Sequence, residues 1–92
     1  MIRSFRDRET ERVLRREFSR RLPQSIQKTA RRKLIILNNA DSLEDLRSVP
    51  GNRLEALSGA REGQHSIRIN NQWRICFVWN GDPYEVEIVD YH

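Results

Sequence analysis

With 92 residues, 37% of them hydrophobic and 33% charged, the chain predicts one domain, residues 1–92, built around one core; it is too short for two cores and too apolar for a disordered chain. No long uncharged apolar run offers a membrane span. Residues 1–10 set Arg3, Arg6 and Arg8 against Asp7 and Glu9 where an export leader would be apolar, and Cys76, the single cysteine, has no disulfide partner. Both features predict a cytoplasmic protein.

The net charge of +4 is unevenly spread: residues 1–33 hold 12 of the 17 cations against four carboxylates, a net +8, while the rest of the chain carries five against nine, a net −4. Fifteen of the 17 cations are arginine, whose planar fork suits bidentate contacts to phosphate or carboxylate. An RNA surface, an acidic protein partner and a plainly solvated helix face all fit.

In chain order, Ile2–Arg6 reads as a short opening strand, and Asp7–Arg21 as a charged helix with a narrow stripe of Val13, Leu14 and Phe18. Pro23 suits the first turn of a second helix running to about Asn39, with Ile26, Ala30, Leu34 and Leu37 on one face and Arg31, Arg32 and Lys33 largely off it. Ser42 with Asp45 offers a short capped turn, and Val49-Pro50-Gly51-Asn52 breaks the chain. The period then changes to two: Leu54–Leu57, His65–Ile69, Trp73–Trp79 and Tyr84–Tyr91 read as strands, with hairpin signals at Asn70-Asn71 and Asn80-Gly81. Two N-terminal helices packed on one face of a small antiparallel sheet, an α+β fold, is the predicted architecture.

The second half carries specific phrases: Asn52-Arg53-Leu54-Glu55-Ala56-Leu57-Ser58-Gly59, Arg61-Glu62-Gly63-Gln64-His65-Ser66-Ile67-Arg68-Ile69-Asn70, Gln72-Trp73-Arg74-Ile75-Cys76-Phe77 and Asp90-Tyr91-His92. Together they resemble the HigB family of bacterial toxins in the RelE/ParE superfamily; the helical half agrees in layout and length only. The resemblance implies a RelE-like fold, a ribosome-dependent messenger-RNA endonuclease acting on the 70S ribosome, and a HigA-type helix-turn-helix antitoxin as partner. The alternative within the superfamily is a ParE-like poison of DNA gyrase, which shares the fold and needs no acid–base residues; Asp90-Tyr91-His92 favours the nuclease. A simple basic nucleic-acid-binding module is a third reading, but the chain shows neither a helix-turn-helix pattern nor the aromatic strand signature of an RNA-recognition module.

Metal-free RNA cleavage needs a base for the ribose 2′-OH, a cation for the crowded phosphate and an acid for the leaving 5′-oxygen. Under the resemblance, Asp90, Tyr91, His92 and Arg74 supply these types. No cluster has metal-ligand spacing, so the reading requires no metal and no cofactor. Because an imidazole as a type titrates near neutrality, His92 is the leading acid–base candidate; Asp90 orients it or acts as base, and Tyr91 stacks on a nucleobase or donates a proton. Arg74, in mid-strand, needs a partner: a substrate phosphate or Glu87. Glu55 and Ser58 stand where the best-known family member carries an active-site histidine and lysine, which makes Glu55 a proton-transfer candidate; His65 falls where the family usually has a ring that packs. Gln72, Arg53, Arg61 and Arg68 are candidate RNA contacts. Arg31 and Arg32 are assigned to ribosomal-RNA docking, with an antitoxin contact as the alternative.

Parity in the last hairpin carries a geometric expectation. A two-residue Asn80-Gly81 loop would put Arg74 opposite Glu87 and away from Asp90 and His92, whereas an odd loop or one bulge would reverse this. Pro83, which cannot donate to the ladder, argues for the longer loop, and so for convergence of Arg74, Asp90 and His92 on one side.

Overall fold

In a computed structural model, residues 1–91 are described. Asp7 starts α1 (Arg8–Leu14) by accepting from the Thr10 N–H at 2.7 Å. The helix expected to reach Arg21 ends at Leu14: the N–H groups of Arg15, Arg16 and Glu17 close back onto the carbonyls of Glu11, Val13 and Arg12, and beyond them side chains take the N–H groups of Ser19 and Arg21. Arg16 takes a left-handed φ of +65°. The Gln27 carboxamide donates to the carbonyls of Ser19 (2.7 Å) and Leu22 (2.9 Å) and accepts from the Ser19 N–H (3.1 Å), while the buried Ser19 hydroxyl donates to Glu9 at 2.6 Å. Phe18 consequently leaves the stripe and stands 58% exposed.

Helix α2 (Gln24–Asn39) begins after Pro23 as expected, and Ile26, Ala30, Leu34 and Leu37 are buried. Lys33 corrects the reading of its outer face: it is only 6% exposed, and its Nζ donates to the Oδ1 of fully buried Asn52 at 2.6 Å. Short α3 (Leu43–Arg47) is held by a reciprocal cap between Ser42 and Asp45. Among the described residues, no helix is long and apolar enough to cross a membrane.

Strands β1 (Glu55–Ala56), β2 (Gln64–Arg68), β3 (Trp73–Trp79) and β4 (Pro83–Asp90) form an antiparallel meander in the order β1-β2-β3-β4. A short 3-10 helix, Gly59–Arg61, lies between β1 and β2. The opening strand survives as an extended segment parallel to β4, with Phe5 bridged to Val86. Arg3 N–H donates to the Pro83 carbonyl and Arg6 N–H to Val86, both at 2.9 Å, and beyond them Thr10 Oγ1 accepts from the Ile88 N–H at 2.9 Å. The N-terminal residues thereby cover an edge that would otherwise present unpaired backbone groups.

Alternation decides which sheet face is covered. Ile67, Ile69, Ile75, Phe77, Val86 and Ile88 meet Val13, Ile26, Ala30, Leu34 and Leu37 in one core, so both long helices pack on this side. The opposite face carries Ser66, Arg68, Arg74, Cys76 and Glu87.

The β3–β4 turn is longer than two residues: Trp79 pairs with Pro83, leaving Asn80, Gly81 and Asp82 in the loop, with Gly81 at a φ of +76°. A bulge follows. Cys76 pairs with Glu87 but Val78 with Tyr84, so β4 spends one extra residue there, and Glu85 takes a left-handed φ of +54°. Each device reverses the parity, and together they cancel. Arg74 therefore lies opposite Val89 and Trp73 opposite Asp90, which corrects the expected convergence: Arg74 and Asp90 sit on adjacent rungs with opposite facing. Because a non-glycine residue pays for a left-handed φ, Glu85→Gly is expected to stabilise the fold by up to about 1 kcal/mol, with the exposed Arg6 pair as a small offset. A thermal melt reads the gain; a lower melting temperature would show that the bulge needs the Glu85 side chain.

Candidate functional site

Arg74 organises the helix-free face. Its side chain is 13% exposed, its Nε donates to Ser66 Oγ at 2.7 Å, and its Nη2 donates to the Arg53 carbonyl at 2.7 Å while standing 3.8 Å from Glu55 Oε1. Two backbone choices make this possible. Register places Ser66 opposite both Glu55 and Cys76, so a small hydroxyl lies beside the long arginine, and Arg53 adopts a φ of +46° just before β1. The Tyr91 ring lies 5.9 Å from the guanidinium carbon, in cation–π range. Glu87, the alternative partner weighed for Arg74, is engaged elsewhere.

That engagement is with Arg61, whose Nη1 donates to Glu87 Oε1 at 2.8 Å and to Gln64 Oε1 at 3.0 Å. The Glu87 bond holds the guanidinium firmly in its charged form. Cys76 lies behind these groups. Burial pushes its thiol up, outweighing the opposing pull of Arg61 and Arg74, which leaves a protonated packing residue in place of a nucleophile.

Arg68 stands directly opposite Arg74 on β2 and hydrogen-bonds Asn71 Oδ1. Like charges in direct cross-strand register repel, and Arg53, exposed, contributes its backbone carbonyl to Arg74. One rung further out, Asp90 is exposed at the end of β4 and accepts from Gln72 Nε2 at 3.1 Å, while the Tyr91 N–H donates to the Gln72 carbonyl at 2.6 Å. Strand rise is about 3.3 Å per residue, so the rungs bearing Arg68 and Arg74, then Asp90, then Gln72 and Tyr91, crowd into one end of the sheet.

Of the residues singled out from sequence, Arg53, Glu55, Arg68, Gln72, Arg74, Asp90 and Tyr91 gather at this end, and Arg61 holds the same face through Glu87. His92 lies outside the described residues. His65 stands on the core side, its ring stacked on Phe77 with centroids 6.1 Å apart. Arg31 and Arg32 belong to α2 and the helical layer, with Arg31 Nε donating to the Leu14 carbonyl at 3.3 Å. Sequence reasoning missed Ser66, the anchor of Arg74; its signal was a lone small hydroxyl in an otherwise bulky alternation, at the position that pairs with Cys76. Among the described residues, no group of three or more His, Cys, Asp and Glu side chains is placed to hold a metal ion.

Comparison with known proteins agrees with this architecture. The profile of the HigB-like toxin family, described as RelE-like toxin of type II toxin-antitoxin system HigB, matches residues 3–92. Toxin HigB-1 of Vibrio cholerae serotype O1 is 48% identical over 60 residues, covering 65% of this chain and 63% of the Vibrio protein. An uncharacterized protein of Haemophilus influenzae is 31% identical over 72 residues, 78% of this chain and 71% of its own length. Endoribonuclease HigB of Proteus vulgaris is 46% identical over 41 residues, 44% of this chain and 45% of the relative. With a profile that spans residues 3–92, nearly the whole sequence, the chain belongs to the HigB-like family of RelE-like toxins of type II toxin-antitoxin systems.

Proposed function

We propose that this chain is an endoribonuclease that cuts messenger RNA on the translating 70S ribosome in the cytoplasm, through metal-independent attack by the ribose 2′-OH, and that a HigA-type helix-turn-helix antitoxin restrains it. The observation that carries the reading is the facing pair Arg68 and Arg74, with the Arg53 carbonyl bonded to Arg74, on the sheet face opposite the helical core. Two cations in direct cross-strand register gain from an anion between them, and a phosphodiester supplies it. The name of the Proteus vulgaris relative, an endoribonuclease, supports the same chemistry.

In this reading the scissile phosphate lies against Arg74, which Ser66 and Arg53 hold in place before substrate arrives, so little reorganisation accompanies charge build-up. The strand of RNA crosses the end of the sheet and meets Asp90, Tyr91 and Gln72 at its rim. Asp90, together with His92, removes the 2′-proton and returns one to the 5′-oxygen; Tyr91 stacks on a base; Glu55, 3.8 Å from Arg74, is a second carboxylate within reach. Arg53, Arg61 and Arg68 contact backbone phosphates.

The test is primer extension on a defined messenger RNA incubated with purified protein, with and without 70S ribosomes, beside a gyrase supercoiling assay. Cuts within the reading frame that require ribosomes are the expected result. Cuts in free RNA would remove ribosome dependence, and altered supercoiling with intact RNA would replace the reading with gyrase poisoning.

A further inference from the structure

Four hydrogen bonds converge on one residue in the turn that leads into β1. Val49-Pro50-Gly51-Asn52 closes on itself, with the Asn52 N–H donating to the Val49 carbonyl at 3.2 Å and Gly51 at a φ of +84°. Asn52 is fully buried, and its other polar groups all have partners. Its Nδ2 donates to the Leu46 carbonyl at 3.0 Å, its Oδ1 accepts from Lys33 Nζ at 2.6 Å, and its backbone carbonyl accepts from the Arg68 N–H at 2.7 Å. The next residue, Arg53, adopts a left-handed φ of +46° and turns its carbonyl to Arg74 Nη2 at 2.7 Å. Two successive carbonyls therefore tie down the facing arginines, Asn52 holding the backbone of Arg68 and Arg53 the guanidinium of Arg74.

We propose that Asn52, backed by Lys33, is a positioning residue for RNA cleavage: it sets the Arg53 carbonyl and, through it, the Arg74 guanidinium against which the scissile phosphate lies. This rests on the nuclease reading of Arg74. A left-handed φ at a non-glycine residue persists only where its surroundings over-determine it, and the clamped neighbour of Arg53 supplies that constraint. The chemistry of the clamp argues against a plain staple. Methionine or leucine at position 33 would continue the apolar run of Ala30, Leu34 and Leu37, whereas a lysine there must be desolvated, which only a fixed acceptor such as Asn52 Oδ1 offsets. Direct contact with RNA is closed to both side chains, since Asn52 is fully buried and Lys33 is 6% exposed. What reaches the substrate is the geometry they impose. An Arg74 side chain tied to Ser66 without the Arg53 carbonyl would swing about that bond, and a misplacement of about 1 Å costs about 10²-fold in rate.

The test joins the guanidinium's own signal to kinetics on the full chain. In isotope-labelled protein the Arg74 guanidinium N–H signals, absent from Arg74→Ala, are expected to exchange slowly in the parent and rapidly in Asn52→Ala. They should stay slow in Ile26→Ala, a core change two helical turns before Lys33. Single-turnover cleavage of ribosome-bound messenger RNA should fall about 10- to 100-fold in Asn52→Ala, with the half-saturating concentration unchanged. It should fall no further when Asn52→Ala is placed in the Arg74→Ala background, because both act through one guanidinium. Asn52→Asp, which keeps the acceptor for Lys33, should recover most of the rate. If Asn52→Ala does not fold, Lys33→Met leaves no unpaired charge and carries the same comparisons, with a loss of about threefold. Arg74 signals as protected in the position-52 or position-33 variant as in the parent, losses that multiply in the double variant, or an equal loss in Ile26→Ala would each overturn the proposal. A parent that cleaves no RNA would sink the nuclease reading by itself, and the exchange of the Arg74 signals would still decide whether Asn52 sets that side chain.

Discussion

Arg74→Ala is expected to lower the single-turnover rate of ribosome-bound messenger-RNA cleavage by about 10²- to 10³-fold, the range found when one preorganised donor to a developing anion is removed. The variant should also lose stability, because Ser66 Oγ, on a fully buried residue, forfeits its partner and the Arg53 carbonyl forfeits a donor; leaving a buried polar group unpaired costs about 1–3 kcal/mol. Asp90→Ala provides the contrast. Asp90 is exposed at a strand end and bonds Gln72 at 3.1 Å, so its loss should cost about 10²- to 10⁴-fold in rate, as for a general acid–base group, with an unchanged melting temperature. Measuring rate and melting temperature on the same preparations separates the two. A folded Arg74→Ala protein that cleaves at the parent rate would transfer the phosphate to Arg68 and Arg53, and a fully active Asp90→Ala would leave the proton transfer to His92 or Glu55.

These assignments depend on features that differ in how openly the sequence displays them. Helix α2 and strands β2, β3 and β4 were legible because their apolar residues keep one period, with Pro23 before the helix and Gly81 in the last turn, and the Ser42–Asp45 cap announced α3. The stop of α1 at Leu14 was not legible, since Arg15 to Arg21 has good helix formers and no breaker; the deciding contacts come from Gln27 on the next helix. Facing in the last hairpin failed for a different reason. Pro83 correctly signalled a loop longer than two residues, but the compensating bulge sits at Glu85, a residue type that carries no sign of a left-handed backbone. One unannounced residue is enough to exchange the two faces of a strand. The candidate site nonetheless came together because its members lie within a few residues of a strand end, where adjacent rungs are only one residue rise apart.

The bulge and the loop also explain how one short sheet serves two purposes. With parity restored, the run Ile75, Phe77 and Ile88 stays on the helices, and Arg74, Cys76 and Glu87 stay on the free face. Had only one device been present, Arg74 would share a face with Ile88 in the core, at the cost of burying an arginine without a carboxylate. The arrangement found keeps the core apolar and assembles the cations elsewhere.

Lys33 is the exception to that separation, and it links the helical layer to the site. Its three neighbours in the stripe, Ala30, Leu34 and Leu37, are fully buried, and the ammonium is satisfied by Asn52, whose Nδ2 in turn donates to the Leu46 carbonyl at 3.0 Å and whose own carbonyl accepts from the Arg68 N–H at 2.7 Å. Asn52→Ala is therefore expected to cost about 3 kcal/mol, since it strands a buried cation and a buried carbonyl together; for a domain of ordinary stability, about 5–15 kcal/mol, that is a large share. Lys33→Met in the Asn52→Ala background should recover part of the loss, because it removes the charge left without a partner, and a double-mutant cycle in denaturant measures the coupling. The sign with pH follows from burial, reinforced by Arg32 and Arg68, which pushes Lys33 below the ordinary lysine value. The charged form is thus disfavoured in the fold: the penalty is present in full below the folded pKa and fades as pH rises from there towards the unfolded value, a window in which the unfolded chain holds the extra proton and stability climbs. The neutral amine still donates to Asn52, so the contact survives the titration. Stability of the parent relative to Lys33→Met should accordingly increase across that alkaline window. A difference between the two proteins that stays flat with pH would mean that Lys33 is charged in the fold at no cost, and that Asn52 alone holds the turn carrying Arg53 to Arg74.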